Sequence, residues 1–347
     1  MKEAIDLLKQ LIASPSFSRE EEKTAAIIFN FLSEKLFMPQ RIKNNVWVCN
    51  KYFDSAKPTL LLNSHHDTVR PTAAYTSDPF SPIEKEGKLI GLGSNDAGAS
   101  VVSLIQAFIS CYEKKSNYNI ILAITAEEEI TGDNGMALLL KHLPKINCAI
   151  VGEPTQMQAA IAERGLMVLD CVTYGTPGHA ARQEGDNALY RAIEDINWFR
   201  NFRFPKKSAL MGDVKMTVTQ INAGTQHNVV PGECRFVVDI RPTDVYDNEE
   251  ILSIIRQHAA CEATARSTKH TSSSIDENHP LVKTAKALAI PLFVSPTTSD
   301  MVRMQFPAIK MGVGDSARSH QADEFIYLKE IEEGIKQYID FLNKFTE

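Results

Sequence analysis

The 347-residue sequence contains no apolar run near the roughly 20 residues that a membrane-spanning helix needs. Its six cysteines (Cys49, Cys111, Cys148, Cys171, Cys234 and Cys261) form no CxxC pair, so nothing in their spacing suggests a thiolate metal knuckle or a dithiol redox motif. Several lie in apolar segments and read as buried free thiols, as expected of a protein in a reducing cytoplasm. Basic excess is also missing. The formal net charge is −6, which argues against a nucleic-acid surface, whose footprint is a basic patch or stripe. No low-complexity linker and no internal repeat interrupts the chain. The opening segment, MKEAIDLLKQLIASPSF, scatters charges among Ile5, Leu8, Leu11 and Ile12 at helical spacing. It therefore reads as an amphipathic helix rather than a secretory signal.

What is present is an ordinary globular composition, 44% hydrophobic and 23% charged, in a chain long enough for two domains. Ser18 and Glu21 have capping-box spacing ahead of a helical stretch, EEKTAAIIFNFLSEKL. Four short apolar runs each lead into chemistry-bearing residues. Leu60–Leu62 runs into His65, His66 and Asp67. Ile120–Thr125 runs into Glu127, Glu128 and Glu129. Cys148–Val151 leads to Glu153, and PAIKMGVGDSARSH leads through a Gly-rich turn to His320. Helical stretches (SVVSLIQAFISCYEKK and NGMALLLKHL) lie between them. Alternating strands and helices predict a largely parallel sheet. Ligands bind beyond the carboxyl ends of the strands in such sheets, which is where these residues fall.

Residues 165–270 differ. LMVLDCVTYG, KMTVTQINAG and ECRFVVDIRP read as strands, with helices over NALYRAIEDINWFRNF and NEEILSIIRQHAACEA. This predicts an α+β unit inserted into an α/β domain formed by residues 1–164 and 271–347.

The collected candidates are His65, Asp67, Asp96, Glu128, Glu129, Glu153 and His320. Imidazole plus carboxylate without thiolate suits zinc, and also cobalt or manganese. Two histidines and three carboxylates can hold two metals if one carboxylate bridges, and Asp96, in GLGSNDAGAS, is placed for that. On an extended segment Asp67 points the same way as His65, two residues earlier, and can orient its imidazole, whereas His66 points away. Glu128 and Glu129 cannot both face one point. One is expected to bind metal and the other to serve as general base, and spacing does not decide which.

In combination, the HxD motif at His65–Asp67, Asp96, AEEE, VGEPT and SHQADE resemble the M20 metallopeptidase and deacylase family. That family includes acetylornithine deacetylase, succinyl-diaminopimelate desuccinylase, carboxypeptidases and aminoacylases. The similarity runs over essentially the whole chain. It implies a zinc-exopeptidase-type α/β catalytic domain with a mostly parallel sheet, plus an inserted α+β lid and dimerisation domain. It also implies two divalent metals, one held by His65, Asp96 and Glu153 and the other by Asp96, Glu129 and His320, with Glu128 as the base. GTPGHAARQEGDNA resembles the lid motif whose histidine, here His179, stabilises an oxyanion in a dimer partner's site. By the same resemblance Asn228 and Arg241 help bind a substrate carboxylate, and Thr298 and Ser299, with Asp300, form a loop near the substrate. Three features depart from the family's usual pattern: Arg70 between Val69 and Pro71, NDAGAS without Met-Lys after the aspartate, and RQEG after His179. All border the substrate cleft and so bear on the substrate, not on the reaction class. The expected activity is hydrolysis of an N-acyl amino acid, acetylornithine first (a step of arginine biosynthesis). N-acyl-citrulline or succinyl-diaminopimelate as substrate, or a dipeptidase or carboxypeptidase acting on peptides, are alternatives, as is a non-catalytic amino-acid-binding relative.

Overall fold

The computed structural model describes residues 1–182 and 184–346. Gln183, within the RQEG stretch, and Glu347 lie outside the described residues. The chain divides into two compact units. One comprises Met1–Ile161, Ile275–Phe293 and Ser299–Glu347, and the other Ala162–Ser274 with Val294–Thr298. The short 294–298 segment belongs to the second unit, and no shift in sequence composition marks it.

The first unit is built on a sheet whose four central strands are parallel, in the order Asn119–Thr125, Thr59–His65, Cys148–Val151, Ala308–Lys310. Asn45–Cys49 adds antiparallel to one side and Ala159–Glu163 to the other. Each central strand is buried throughout, as continuous Leu, Ile and Val runs require. Period-two geometry sends alternate side chains to opposite faces. Leu60, Leu62, Ile120, Leu122, Ile124 and Ile150 pack into a core shared with the helices Lys2–Ile12, Ala99–Cys111 and Leu328–Thr346. Leu61, Ile121, Ala123 and Val151 face a smaller core that includes Met136, Leu139 and Met301. Truncating a side chain such as Leu61 to alanine typically costs about 2–5 kcal/mol. Because the four strands run the same way and His65 lies opposite Thr125, their carboxyl ends meet along one edge.

In the second unit, four antiparallel strands are ordered Lys215–Ala223, Glu233–Arg241, Met167–Tyr174, Glu262–Ala265. One face (Met167, Leu169, Cys171, Cys234, Phe236, Val238, Ile240) shares a core with residues of the helices Ala188–Asn201 and Asn248–His258. A separate two-stranded ladder pairs Gly178–His179 with Val229–Val230.

Three local expectations change. The helix expected over NEEILSIIRQHAACEA stops at His258, and Glu262–Ala265 is a strand. The period-two pattern Cys261, Ala263 in and Glu262, Thr264 out overrides helical propensity there. NGMALLLKHL yields only the four-residue helix Met136–Leu139. Ser18 does not cap the helix Glu22–Glu34, because its hydroxyl donates elsewhere, to Asp67. Among the described residues no helix is long and apolar enough to cross a membrane, and the cysteines are free thiols.

Candidate metal centre

His65 ends its strand buried, and its Nδ1 lies 3.0 Å from the Asp67 backbone carbonyl. With Nδ1 as donor, Nε2 is left facing Asp96 Oδ1 at 3.3 Å, Glu153 Oε1 at 3.7 Å and Glu128 Oε2 at 3.8 Å. The Asp67 carboxylate also approaches Nδ1, at 3.4 Å, but its hydrogen bonds go further afield. It accepts from Ser18 Oγ at 2.7 Å and from the backbone N–H groups of Glu128 and Glu129 at 3.0 and 3.1 Å. Asp67 thus touches the imidazole and also holds the glutamate turn. His66 is turned away and fully engaged, with Nδ1 2.8 Å from Thr24 Oγ1 and Nε2 2.9 Å from the Asn44 carbonyl. Burial lowers its pKa to about 4, so it is a neutral core histidine.

The turn after the strand Asn119–Thr125 starts with Glu127 at φ 56° and separates the next two acids. Glu128 faces His65. Glu129 faces His320, whose Nε2 lies 3.0 and 3.2 Å from its two carboxylate oxygens. Asp96 lies between the imidazoles, with Oδ1 3.3 Å from His65 Nε2 and Oδ2 3.7 Å from His320 Nε2. Among the described residues, two sets of donor atoms lie within 4.8 Å of one another: His65, Asp96, Glu129 and His65, Glu128, Glu153. His320, although paired with Glu129, is in neither set.

Burial, then the neighbouring carboxylates, pushes the Glu128 carboxyl well above the usual range against the opposing pull of His65. Burial lifts Glu153 to about 8. The hydrogen bond that His320 donates to the Glu129 carboxylate raises the histidine's pKa to about 9. Burial alone would lower His65, yet Glu128 and Glu153 raise it well above normal. Carboxylates outnumber imidazoles around the buried His65, and a Glu153 oxygen is buried with no hydrogen-bond partner. A buried acceptor without a donor is costly, and a cation relieves that cost as well as the mutual repulsion. The donors present therefore fit divalent metal.

The other expected site residues fall as follows. Ser299 is buried, and its Oγ accepts from Met301 N at 3.3 Å, capping a short turn. Within the second unit, the ladder sets His179 opposite Val229, and the Asn228 carbonyl accepts from Ala180 N at 3.0 Å, so His179 and Asn228 are close neighbours. His179 is exposed, and its Nδ1 accepts from Ala181 N at 3.1 Å. Arg241 is held by Asp239 through two hydrogen bonds of 2.8 and 3.0 Å and reaches Thr298 Oγ1 at 3.5 Å.

Three carboxylates make contacts that the sequence pattern does not assign to them. Glu21 is fully buried and accepts from Arg19 N, Asn44 Nδ2 and Glu127 N at 2.6, 2.8 and 3.2 Å. Both members of the supposed capping box thus serve the glutamate turn. Asp300 accepts from Thr125 Oγ1 at 2.7 Å beneath that turn. Glu324 lies against the Asp96 loop.

Residues 61–344 match the family described as Peptidase family M20/M25/M40. The chain is 26% identical to a succinyl-diaminopimelate desuccinylase of Pelagibacter ubique (strain HTCC1062), with 98% of each chain covered. Its fold is similar to that of an M20 family metallo-carboxypeptidase from Sulfolobus solfataricus (TM-score 0.80, 18% identity, all of both chains covered). A dinuclear metal-binding M20 peptidase from Bacillus subtilis is also similar, with TM-score 0.71, 14% identity and 99% and 97% of the two chains covered. A match over most of the chain, joined to the cluster of imidazoles and carboxylates at the strand ends, makes this protein a member of the M20/M25/M40 peptidase family, and hence a hydrolase.

Proposed function

We propose that the protein is a two-metal amidohydrolase that releases an amino acid from its N-acyl derivative. The observation that carries this reading is the placement of Asp96, with one carboxylate oxygen toward His65 and the other toward His320. A bridge of that kind lets His65 and Glu153 serve one cation and Glu129 and His320 the other. Two divalent cations, zinc by donor type with cobalt or manganese also suited, supply Lewis acidity toward an amide carbonyl and acidify water. Glu128 takes the proton from the attacking water and delivers it to the leaving amine. Asp67 fixes the His65 tautomer and the turn that carries Glu128. His179 donates a hydrogen bond to the oxyanion, in the site of a second copy of the chain within a homodimer. Asn228 and Arg241 bind the substrate carboxylate, with Thr298 and Ser299 nearby. The buried free thiols support a cytoplasmic setting.

N-acetylornithine is the substrate suggested by the sequence motifs. The Pelagibacter relative's name favours a succinyl group instead. Incubating the zinc-loaded protein with acetyl and succinyl derivatives of ornithine, citrulline and diaminopimelate, and with dipeptides, followed by product analysis, tests the reading. Release of free amino acid from an N-acyl substrate supports it. Cleavage of dipeptides alone makes the protein a peptidase, and no cleavage at all makes it a binding relative.

A further inference from the structure

SHQADE supplies His320, but its last residue, Glu324, makes the more extensive connection. The Glu324 side chain is buried, 3% exposed. Its Oε1 accepts the backbone N–H groups of Asn95 and Asp96, each at 2.8 Å, and its Oε2 accepts that of Gly93 at 2.9 Å. Its backbone carbonyl accepts from Gly91 N at 2.9 Å. A carboxylate accepts hydrogen bonds and donates none, which matches three converging donors. Gly93 has φ +74°, and a Cβ there would lie 2.6 Å from Thr68 Cγ2, so the backbone that aims its N–H at Glu324 requires glycine. The same loop is tied a second time, by Asn95 Nδ2 to the Asp315 carbonyl at 3.0 Å and Asp315 N to Asn95 Oδ1 at 2.9 Å.

We propose that Glu324 is a positioning residue for the metal centre: by clamping the N–H groups of Gly93, Asn95 and Asp96 it holds Asp96 in the orientation that presents one oxygen to each side. It lies four residues after His320, so a single turn both contributes a donor and sets the carboxylate opposite it. The inference rests on the two-metal reading above. Glutamine is the informative replacement. It keeps the shape but presents an NH2 group to one of the N–H donors, so the loop must shift. Partners one layer behind the ligands typically contribute about 10–100-fold to metal affinity.

The test uses the full chain, stripped of metal and titrated with zinc under chelator competition, and with cobalt to follow its absorption spectrum. For Glu324→Gln the expected result is a metal-free thermal transition close to wild type, the weaker of two zinc sites loosened by about 10–100-fold, and an altered cobalt spectrum. Glu324→Asp, which keeps the charge but shortens the reach, should fall between the two. Wild type binding one zinc or fewer overturns the two-metal reading itself. Wild type binding two while Glu324→Gln binds both with unchanged affinity overturns the positioning role alone. If Glu324→Gln does not fold, Glu324→Asp decides: a loosened site supports the role and wild-type affinity overturns it. Failure of both variants to fold without metal also overturns it, because Glu324 would then belong to the fold and not to the site.

Discussion

Asp67 accepts the backbone N–H of Glu128 at 3.0 Å, which ties the residue beside one histidine to the proposed proton-transfer group. Substituting Asp67 should therefore disturb two things at once, the His65 imidazole and the glutamate turn. Asp67→Asn places an amide N–H2 against backbone donors and should lower kcat by about 10–100-fold while weakening metal binding. Steady-state kinetics alongside metal titration check this. Full activity with both metals retained would show that the two contacts are dispensable.

Glu128 and Glu129 are adjacent but face different imidazoles, so their glutamine variants should behave differently. Glu128→Gln should keep its metal and lose about 10²–10⁴ in kcat, the usual contribution of a positioned general base. Glu129→Gln should lose metal occupancy first. Elemental analysis of both purified variants gives the answer, and the opposite pattern would exchange their roles.

Chelator treatment should abolish activity, and zinc should restore it at about two equivalents per chain. Full activity regained at one equivalent or fewer would exclude a two-metal mechanism.

Removing His179 should cost about 10²–10³ in turnover if it donates to the oxyanion. His179→Ala and Glu128→Ala, each nearly inactive, are to be mixed under conditions that exchange subunits. Activity should return, since one site of the mixed dimer then has its own Glu128 and its partner's His179. Continued inactivity, with exchange verified by mass, would place the histidine in its own chain's site or remove it from the reaction.

His279 caps the helix Pro280–Ala287, its Nδ1 accepting from Leu281 N at 3.2 Å, a role only the neutral ring can fill. Burial lowers its pKa below the usual 6.5, with Asp276 pulling weakly the other way. The unfolded chain therefore binds this proton more readily, and the cap's contribution is present above pH 6.5 and is lost as pH falls below it. His279→Ala should cost about 0.5–2 kcal/mol at pH 8 and less at pH 5. Urea denaturation at the two pH values measures both, and a cost that does not change with pH would contradict the argument.

Most of the candidate donors stand out in the sequence because they come after short buried strands, and parallel strands bring their ends together whatever lies between. Asp96, which lies beyond the partly buried antiparallel strand Lys88–Ile90, is the exception. His65, Glu153 and His320 are legible for that reason. Their supports are not. Glu21 and Glu324 act on backbone N–H groups of loops far away in the chain, and nothing in the identity of Gly93 or Glu127 announces which carboxylate will meet it. Ser18 and Glu21 do fit a local rule, the capping box, and tertiary contacts with Asp67 and Glu127 overrode it. The strand Glu262–Ala265 was obscured for a related reason, because its small residues suit a helix until the neighbouring strand supplies a partner.

The clamp between Glu324 and Asp96 spans 228 positions of chain. During synthesis from the N-terminus, every acidic donor and His65 leave the ribosome well before the segment that steadies Asp96. On the positioning proposal, a nascent or truncated chain ending before residue 324 carries most of the proposed ligands without the hydrogen bond that holds the Asp96 backbone. On the proposed two-metal reading, tight metal uptake is then a late event, one that reports that the C-terminal segment has docked.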